Sequence, residues 1–300
     1  MKRFGLIGHP IAHSLSPALF KAGYDGKYPY ELIETDCFEE AYGRFLKDYD
    51  GINVTAPFKE LAVAKADILS EECRLTGATN LLIKTPEGVK AFNSDFLGVR
   101  MWLQEEMSRT SEGATGEKRA TPLAAGGGAH EVGGVLFDVA PSEVSRPSVL
   151  IAGTGGAGKA AAAAALTLGM NVTLMNRSRD KAERLAEDFR KNGYRTDVED
   201  LGSFRECFRK ADIIIYNIPA AIPELEELSS NDFCPGRRKL ILEANYRNPS
   251  FDEALVARIK EAGPETAYTG GRTWLLYQAL TGYEIFTDEV PDLGRMSAVL

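Results

Sequence analysis

Lys59 stands just past a short apolar run and a proline, in Gly51-Ile52-Asn53-Val54-Thr55-Ala56-Pro57-Phe58-Lys59-Glu60. The run from Gly51 to Val54 reads as a buried strand that Pro57 ends. The lysine is thereby set at the carboxyl edge of a strand, where open α/β sheets bind their ligands. Asn93-Ser94-Asp95-Phe96-Leu97-Gly98 repeats the order of strand, polar turn and helix start, this time with a carboxylate. An amine and a carboxylate delivered to strand edges in this way can meet across a cleft and handle a proton together.

A second stretch points to a phosphate-bearing ligand. Val149-Leu150-Ile151-Ala152 leads into Gly153-Thr154-Gly155-Gly156-Ala157-Gly158, followed by Lys159 and an alanine-rich helix. Glycines at this spacing let backbone amides approach a pyrophosphate at the positive end of a helix. The motif alone is a weak signal, but here it follows a strand, opens a helix and lies within a βαβ unit, the context a dinucleotide site needs. Lys159 does not make it a nucleotide triphosphatase loop, because that loop's glycine spacing and its following Ser or Thr are missing. The next strand ends at Met175, where an NAD-binding chain places Asp or Glu against the adenosine ribose. Here Asn176-Arg177-Ser178-Arg179 stands instead, without a carboxylate and with two guanidinium groups and a hydroxyl that suit a 2′-phosphate. NADP is therefore expected in preference to NAD.

The elements that must position these residues follow from the apolar runs. From residue 3 to about 107 short apolar runs alternate with helical ones, which predicts a mostly parallel sheet covered by helices. Strands are expected at Arg3–Gly8, Tyr30–Glu34, Ile52–Val54, Ala78–Lys84 and Val89–Phe92, the last two joined as a hairpin through Pro86-Glu87-Gly88. Helices are expected over Ser16–Tyr24, capped by Ser16 with Pro17 in the first turn, and over Asp95–Met107, started by Asn93 or Ser94. Ser108 to Pro147 holds seven glycines and no sustained period, and reads as an insert or linker. Within it Val135-Leu136-Phe137 is the one apolar run suited to a lid or subunit contact. Strands then return at Ser148–Ala152, Val172–Met175, Ile213–Asn217 and Leu240–Glu243, with helices at Ala157–Leu168 and Asp180–Lys191. These form a second doubly wound unit, and Thr273–Leu280 begins a further helix after Gly270-Gly271.

Composition limits the function classes. A chain of 300 residues suits two domains. With 44% hydrophobic and 26% charged residues it reads as a soluble globular protein, and a net charge of −8 argues against nonspecific binding to nucleic acid or anionic membrane. The apolar run near the amino terminus is too short for a signal sequence and reads as a first strand, and no segment approaches a membrane span. Cys37, Cys73, Cys207 and Cys234 lack metal or redox spacing, which suits reduced thiols in a cytoplasm and no metal site. His9 and His13, flanking Pro10, fit neither a Ser-His-Asp order nor a metal spacing and read as structural or rim residues. His130, within the insert, carries no signal.

Taken with Ser14-Leu15-Ser16-Pro17 and Gly77-Ala78-Thr79-Asn80, the blocks around Lys59 and Asp95 resemble the shikimate dehydrogenase family, from residue 4 to about 286 apart from the insert. The resemblance implies an α/β chain of two domains. Residues 1–107, completed by 270–300, would be the substrate-binding and catalytic domain with a mostly parallel sheet; 148–269 would be the NAD(P)-binding Rossmann domain, after an insert or linker at 108–147. It implies Lys59 and Asp95 as the catalytic pair, and Ser14 and Ser16 as holders of the substrate carboxylate. Thr55, Asn80 and Gln278 match further substrate contacts, and Tyr246 matches a tyrosine near the cleft. Gly153, Gly155, Gly156, Ala157, Gly158, Asn176, Arg177, Ser178, Arg179 and Asn217 are the expected cofactor residues. One departure is Asn217-Ile218-Pro219-Ala220-Ala221, where the family commonly carries a hydroxyl two residues after the asparagine. The implied activity is NADP-dependent, reversible reduction of 3-dehydroshikimate to shikimate in aromatic amino-acid biosynthesis, by a cytoplasmic monomer or homodimer. In the oxidative direction the amine must accept the hydroxyl proton, which burial favours and a neighbouring carboxylate opposes, so the pair is assigned jointly, with the formal base left open. The alternatives are a quinate/shikimate dehydrogenase using NAD, which a carboxylate after Met175 would have supported, and a noncatalytic nucleotide or metabolite sensor, which has no need of both Lys59 and Asp95.

Overall fold

The structure, a computed structural model, describes residues 1–115 and 146–300. The first part runs β1 (Phe4–Gly8), α1 (Ser16–Gly23), β2 (Tyr30–Glu34), α2 (Phe38–Asp48), β3 (Gly51–Val54), α3 (Lys59–Val63), β4 (Ile68–Leu69), α4 (Glu71–Thr76), β5 (Leu81–Thr85), β6 (Gly88–Phe92) and α5 (Ser94–Thr115). The second runs β7 (Ser148–Ala152), α6 (Gly156–Thr167), β8 (Asn171–Met175), α7 (Arg179–Lys191), β9 (Thr196–Glu199), α8 (Phe204–Lys210), β10 (Ile213–Tyr216), α9 (Pro223–Glu226), β11 (Lys239–Glu243), α10 (Glu253–Ala262) and β12 (Thr266–Thr269), before α11 (Gly271–Thr287) and α12 (Leu293–Ser297).

Two six-stranded sheets result, ordered β2-β1-β3-β5-β6-β4 and β12-β11-β10-β7-β8-β9. The second is parallel throughout and reverses its winding between β7 and β10, the crevice where doubly wound sheets bind ligands. The first is mixed: β1 pairs in parallel with β2 and β3, and β4 with β6, while β5 runs antiparallel to both β3 and β6. The β5–β6 hairpin turns at Pro86-Glu87, with Thr85 opposite Gly88 and Gly88 at φ +128°, as the turn residues predict.

The helices seal both sheets. Six alanines, Ala160 to Ala165, are fully buried along α6 and share a core with Val149 and Ile151 of β7, Ile213 and Ile215 of β10, and Val99, Trp102 and Leu103 of α5. Small side chains let α6 seat closely between sheet and helix. α11 instead buries Leu275, Ala279, Leu280, Tyr283 and Phe286 against Phe4 and Leu81 of the first sheet and Phe20 of α1. Among the described residues no helix is long and apolar enough to cross a membrane.

Several boundaries differ from expectation. Leu15, not Ser16, is the N-cap of α1: Leu19 N–H bonds Leu15 O at 3.0 Å, so Ser16 lies one position inside and caps nothing. The strand expected from Ala78 begins only at Leu81, because the Thr79 hydroxyl takes the Leu81 N–H and donates to Phe92 O, holding 77–80 as a turn. α5 continues past Met107 to Thr115, into residues assigned to the insert, since propagation from a packed helix adds residues that would not nucleate one. Val135–Phe137 and His130 lie outside the described residues.

Candidate active site

Lys59 is the first residue of α3 and Asp95 the second of α5, and their side chains form an ion pair. Asn93 sets the start of α5, its Oδ1 accepting from Phe96 N–H at 3.2 Å. Asn80 fastens the same turn from the other side: Oδ1 accepts from Ser94 N–H at 2.7 Å and Nδ2 donates to Ser94 Oγ at 3.0 Å. Its own carbonyl takes Val54 N–H and Asn53 Nδ2, tying α5 to β3. From α11 the Trp274 indole N–H donates to Asp95 O at 3.3 Å. The backbone that carries Asp95 is thus braced by Asn93, Asn80 and Trp274, and its buried carboxylate is paired with Lys59.

These groups open onto one cavity of about 240 Å³, suited to a ligand smaller than the roughly 300–1,000 Å³ of drug-sized sites. Ser14, Ser16, Thr55, Asn80, Tyr246 and Gln278 all line it with the ion pair. Ser14 Oγ and Ser16 Oγ are 3.2 Å apart, and Ser14 Oγ also takes Ser16 N–H. One position inside the helix, the Ser16 hydroxyl belongs to this polar patch rather than to a cap. His13 lines the cavity as an exposed rim residue, while His9 lies toward Glu34 at 3.9 Å.

Sequence reasoning missed Ser94, Trp274 and Tyr283, which also line the cavity. Trp274 and Gln278 are four residues apart on one helix and so share a face, a spacing that could have identified Trp274 once Gln278 was named. Tyr283 donates to Ser16 O at 3.0 Å, and burial raises its phenol pKa, so it remains a protonated donor at neutral pH.

Ala157, from the glycine-rich turn, lines the same cavity. That turn is built as its sequence predicts. Gly153 sits at φ +95°, and a Cβ on Gly158 would stand 1.9 Å from Gly153 O, so only glycine permits the close return of α6 on β7. Gly155, the N-cap of α6, has open space where its Cβ would stand. Two buried oxygens flank the turn without partners among the described residues, Thr154 Oγ1 and Asn217 Oδ1. An open helix start with the unpartnered Thr154 hydroxyl beside it fits the phosphates of a dinucleotide, while the Asn217 Oδ1 would accept from a ligand donor.

At the end of β8, Asn176 braces this turn, its Oδ1 accepting from Thr154 N–H at 3.3 Å and its Nδ2 donating to Ser178 O. The two arginines differ. Arg179 is paired with Glu183 and Asp200, each at 2.8 Å, whereas Arg177 is exposed and has no ion pair among the described residues. Among the described residues no cluster of three or more His, Cys, Asp or Glu could hold a metal ion.

Comparison with known proteins bears on both halves. Residues 6–82 match the family model described as the shikimate dehydrogenase substrate binding domain, and residues 127–224 match that of the alanine dehydrogenase/PNT C-terminal domain. A shikimate dehydrogenase (NADP(+)) of Rubrobacter xylanophilus is 30% identical over 310 residues, covering 99% of this chain and 94% of the relative. The crystal structure of shikimate dehydrogenase from Mycobacterium tuberculosis superposes with a TM-score of 0.71 at 25% identity, covering 100% of this chain and 98% of that one. A quinate dehydrogenase of Corynebacterium glutamicum in complex with NAD reaches a TM-score of 0.74 at 20% identity, over 99% of this chain and 98% of that one, a likeness of fold alone.

Proposed function

This chain belongs to the shikimate dehydrogenase family, and from that membership we propose that it reversibly reduces 3-dehydroshikimate to shikimate with NADPH. The observation that carries the reading is that the Lys59–Asp95 pair and Ala157 of the glycine-rich turn face one cavity, so a proton-handling pair and a dinucleotide turn serve the same small ligand.

When bound, NADPH would supply the hydride chemistry of the reduction. Lys59 donates a proton toward the carbonyl oxygen in reduction, and Asp95, paired with it, aims the amine; in oxidation the pair takes the proton back. Ser14 and Ser16 hold the substrate carboxylate through their paired hydroxyls, with Thr55, Tyr246 and Gln278 at its hydroxyl groups. Asn80 has spent both ends of its amide on Ser94, so its part is chiefly to fix the start of α5. The amides after Gly153 would hold the pyrophosphate, Asn217 would serve the nicotinamide side, and Arg177 would take the 2′-phosphate with Ser178 beside it. Likeness of fold to a quinate dehydrogenase does not choose the cofactor. Arg177, with no carboxylate after Met175, favours NADP.

Purified protein assayed with shikimate and NADP, and in parallel with NAD and with quinate, tests this. Shikimate with NADP should give the highest kcat/KM; a preference for quinate with NAD would overturn the assignment. We place the enzyme in the cytoplasm as a monomer or homodimer, which sedimentation of the purified protein and fractionation of its host would check.

A further inference from the structure

Lys159, which had no place in the dinucleotide motif, donates to Glu60 Oε1 at 3.0 Å. Glu60 is the second residue of α3, directly after Lys59, and Lys159 is the fourth residue of α6. Beside this pair the Lys59 stem passes over the glycine-rich turn: a Cβ on Gly156 would stand 3.7 Å from Lys59 Cδ. Among the described residues one other ion pair joins the two halves, Arg238 with Glu106 at 2.6 Å, on α5. There the halves already share a buried core through Val99, Trp102 and Leu103. At α3 no such core ties them, since Ala62 and Val63 pack into the first sheet's cluster and the third apolar residue of α3, Leu61, is exposed.

We propose that Glu60 and Lys159 are positioning residues for the reaction, an ion pair across the cleft that fixes α3 against the glycine-rich turn and so places the Lys59 amine. The proposal rests on the functional reading above. α3 has five residues and its N-cap, Phe58, makes no side-chain cap bond, so its first turn has little internal rigidity to aim a lysine. A contact from α6 at the adjacent residue supplies that constraint from the element that also presents the cofactor turn. Glu60 is 71% exposed and Lys159 29%, which limits the strength of the pair and makes it sensitive to salt.

The test is a charge exchange. Glu60→Ala and Lys159→Ala should each lower kcat for shikimate by about threefold to fivefold, the ceiling for an exposed ion pair, while KM for NADP stays within about twofold. Lys159→Arg should retain activity. The exchanged variant Glu60→Lys/Lys159→Glu should recover most of the loss, and the differences should fade near about 1 M salt. Amide exchange of α3 in the ligand-free protein gives a readout independent of turnover: faster in each single variant, restored in the exchanged one. Losses that add in the exchanged variant, or α3 exchange unchanged by either substitution, would overturn the proposal. So would weaker NADP binding in Lys159→Ala alone, since it would assign the lysine to a cofactor phosphate. An inactive wild type would count against the functional reading, and the exchange measurement would still decide whether the pair orders α3.

Discussion

The indole N–H of Trp274 donates to the backbone carbonyl of Asp95 at 3.3 Å, so a residue of α11 fixes the helix start that carries the carboxylate proposed for proton handling. Trp274→Phe keeps an aromatic ring but removes the donor, leaving a buried carbonyl short of a partner at a cost of roughly 1–3 kcal/mol. Turnover should fall by about threefold to tenfold, with Tm lowered by a few degrees. If Tm falls while turnover holds, the bond is structural only.

Lys59→Ala should lower kcat by roughly 10²–10⁴, the usual contribution of a positioned proton donor, with a smaller change in KM. Steady-state kinetics of the folded variant decide it, and unchanged turnover would remove Lys59 from the chemistry.

Two glycines of one turn should fail differently. Gly158→Ala places a methyl group 1.9 Å from Gly153 O, so the turn must distort and the variant should lose thermal stability as well as cofactor binding. Gly155→Ala meets nothing within 4 Å in the ligand-free turn and should keep its Tm, yet bind NADP more than about tenfold more weakly, because the added methyl occupies the approach of the phosphates. Thermal unfolding and NADP titration of both variants provide the check; full affinity in Gly155→Ala would place the pyrophosphate elsewhere.

Arg177→Ala should weaken NADP far more than NAD, since only NADP carries the 2′-phosphate. Arg179→Ala should have the smaller effect, its guanidinium being held by Glu183 and Asp200. Dissociation constants for both cofactors, measured on both variants, would refute the distinction if the two arginines proved equal.

Burial lowers the Lys239 pKa from 10.5 to about 8, with Nζ enclosed against Phe208 O and Ala211 O. The unfolded chain therefore binds the extra proton between about pH 8 and 10.5, and stability attributable to this residue rises with pH across that window. Below it the buried charge costs on the order of 3 kcal/mol. Denaturant unfolding of wild type and Lys239→Met should diverge by a pH-dependent amount there, wild type gaining relative to the variant as pH rises. A constant difference would show that the amine is not desolvated.

Much of this site was legible in residue order. Strand ends followed by Lys59, Asp95 and Gly153 place chemistry by chain direction alone, and the structure brings all three blocks to one cavity. What escaped depended on long-range packing. Trp274 and Tyr283 read as helix core until the cavity shows which face they line. The unequal roles of Arg177 and Arg179 depend on Asp200, brought near by β9, an edge strand whose Thr-Asp-Val-Glu sequence is too short and polar to announce itself. β4, two residues long, is invisible for the same reason, and the antiparallel course of β5 followed from a hairpin whose second pairing, to β3, no local signal reveals.

Because Val99, Trp102 and Leu103 of α5 lie in the same core as β7, β10 and the alanines of α6, the nucleotide-binding half cannot be cut free without exposing a large apolar face. Residues 148–269 expressed alone would present that face to water and should associate or precipitate. In the intact chain the shared core makes loss of one sheet destabilise the other, so calorimetry should record a single cooperative transition rather than one for each sheet. The helix that carries Asp95 is thereby the element through which the two halves melt together.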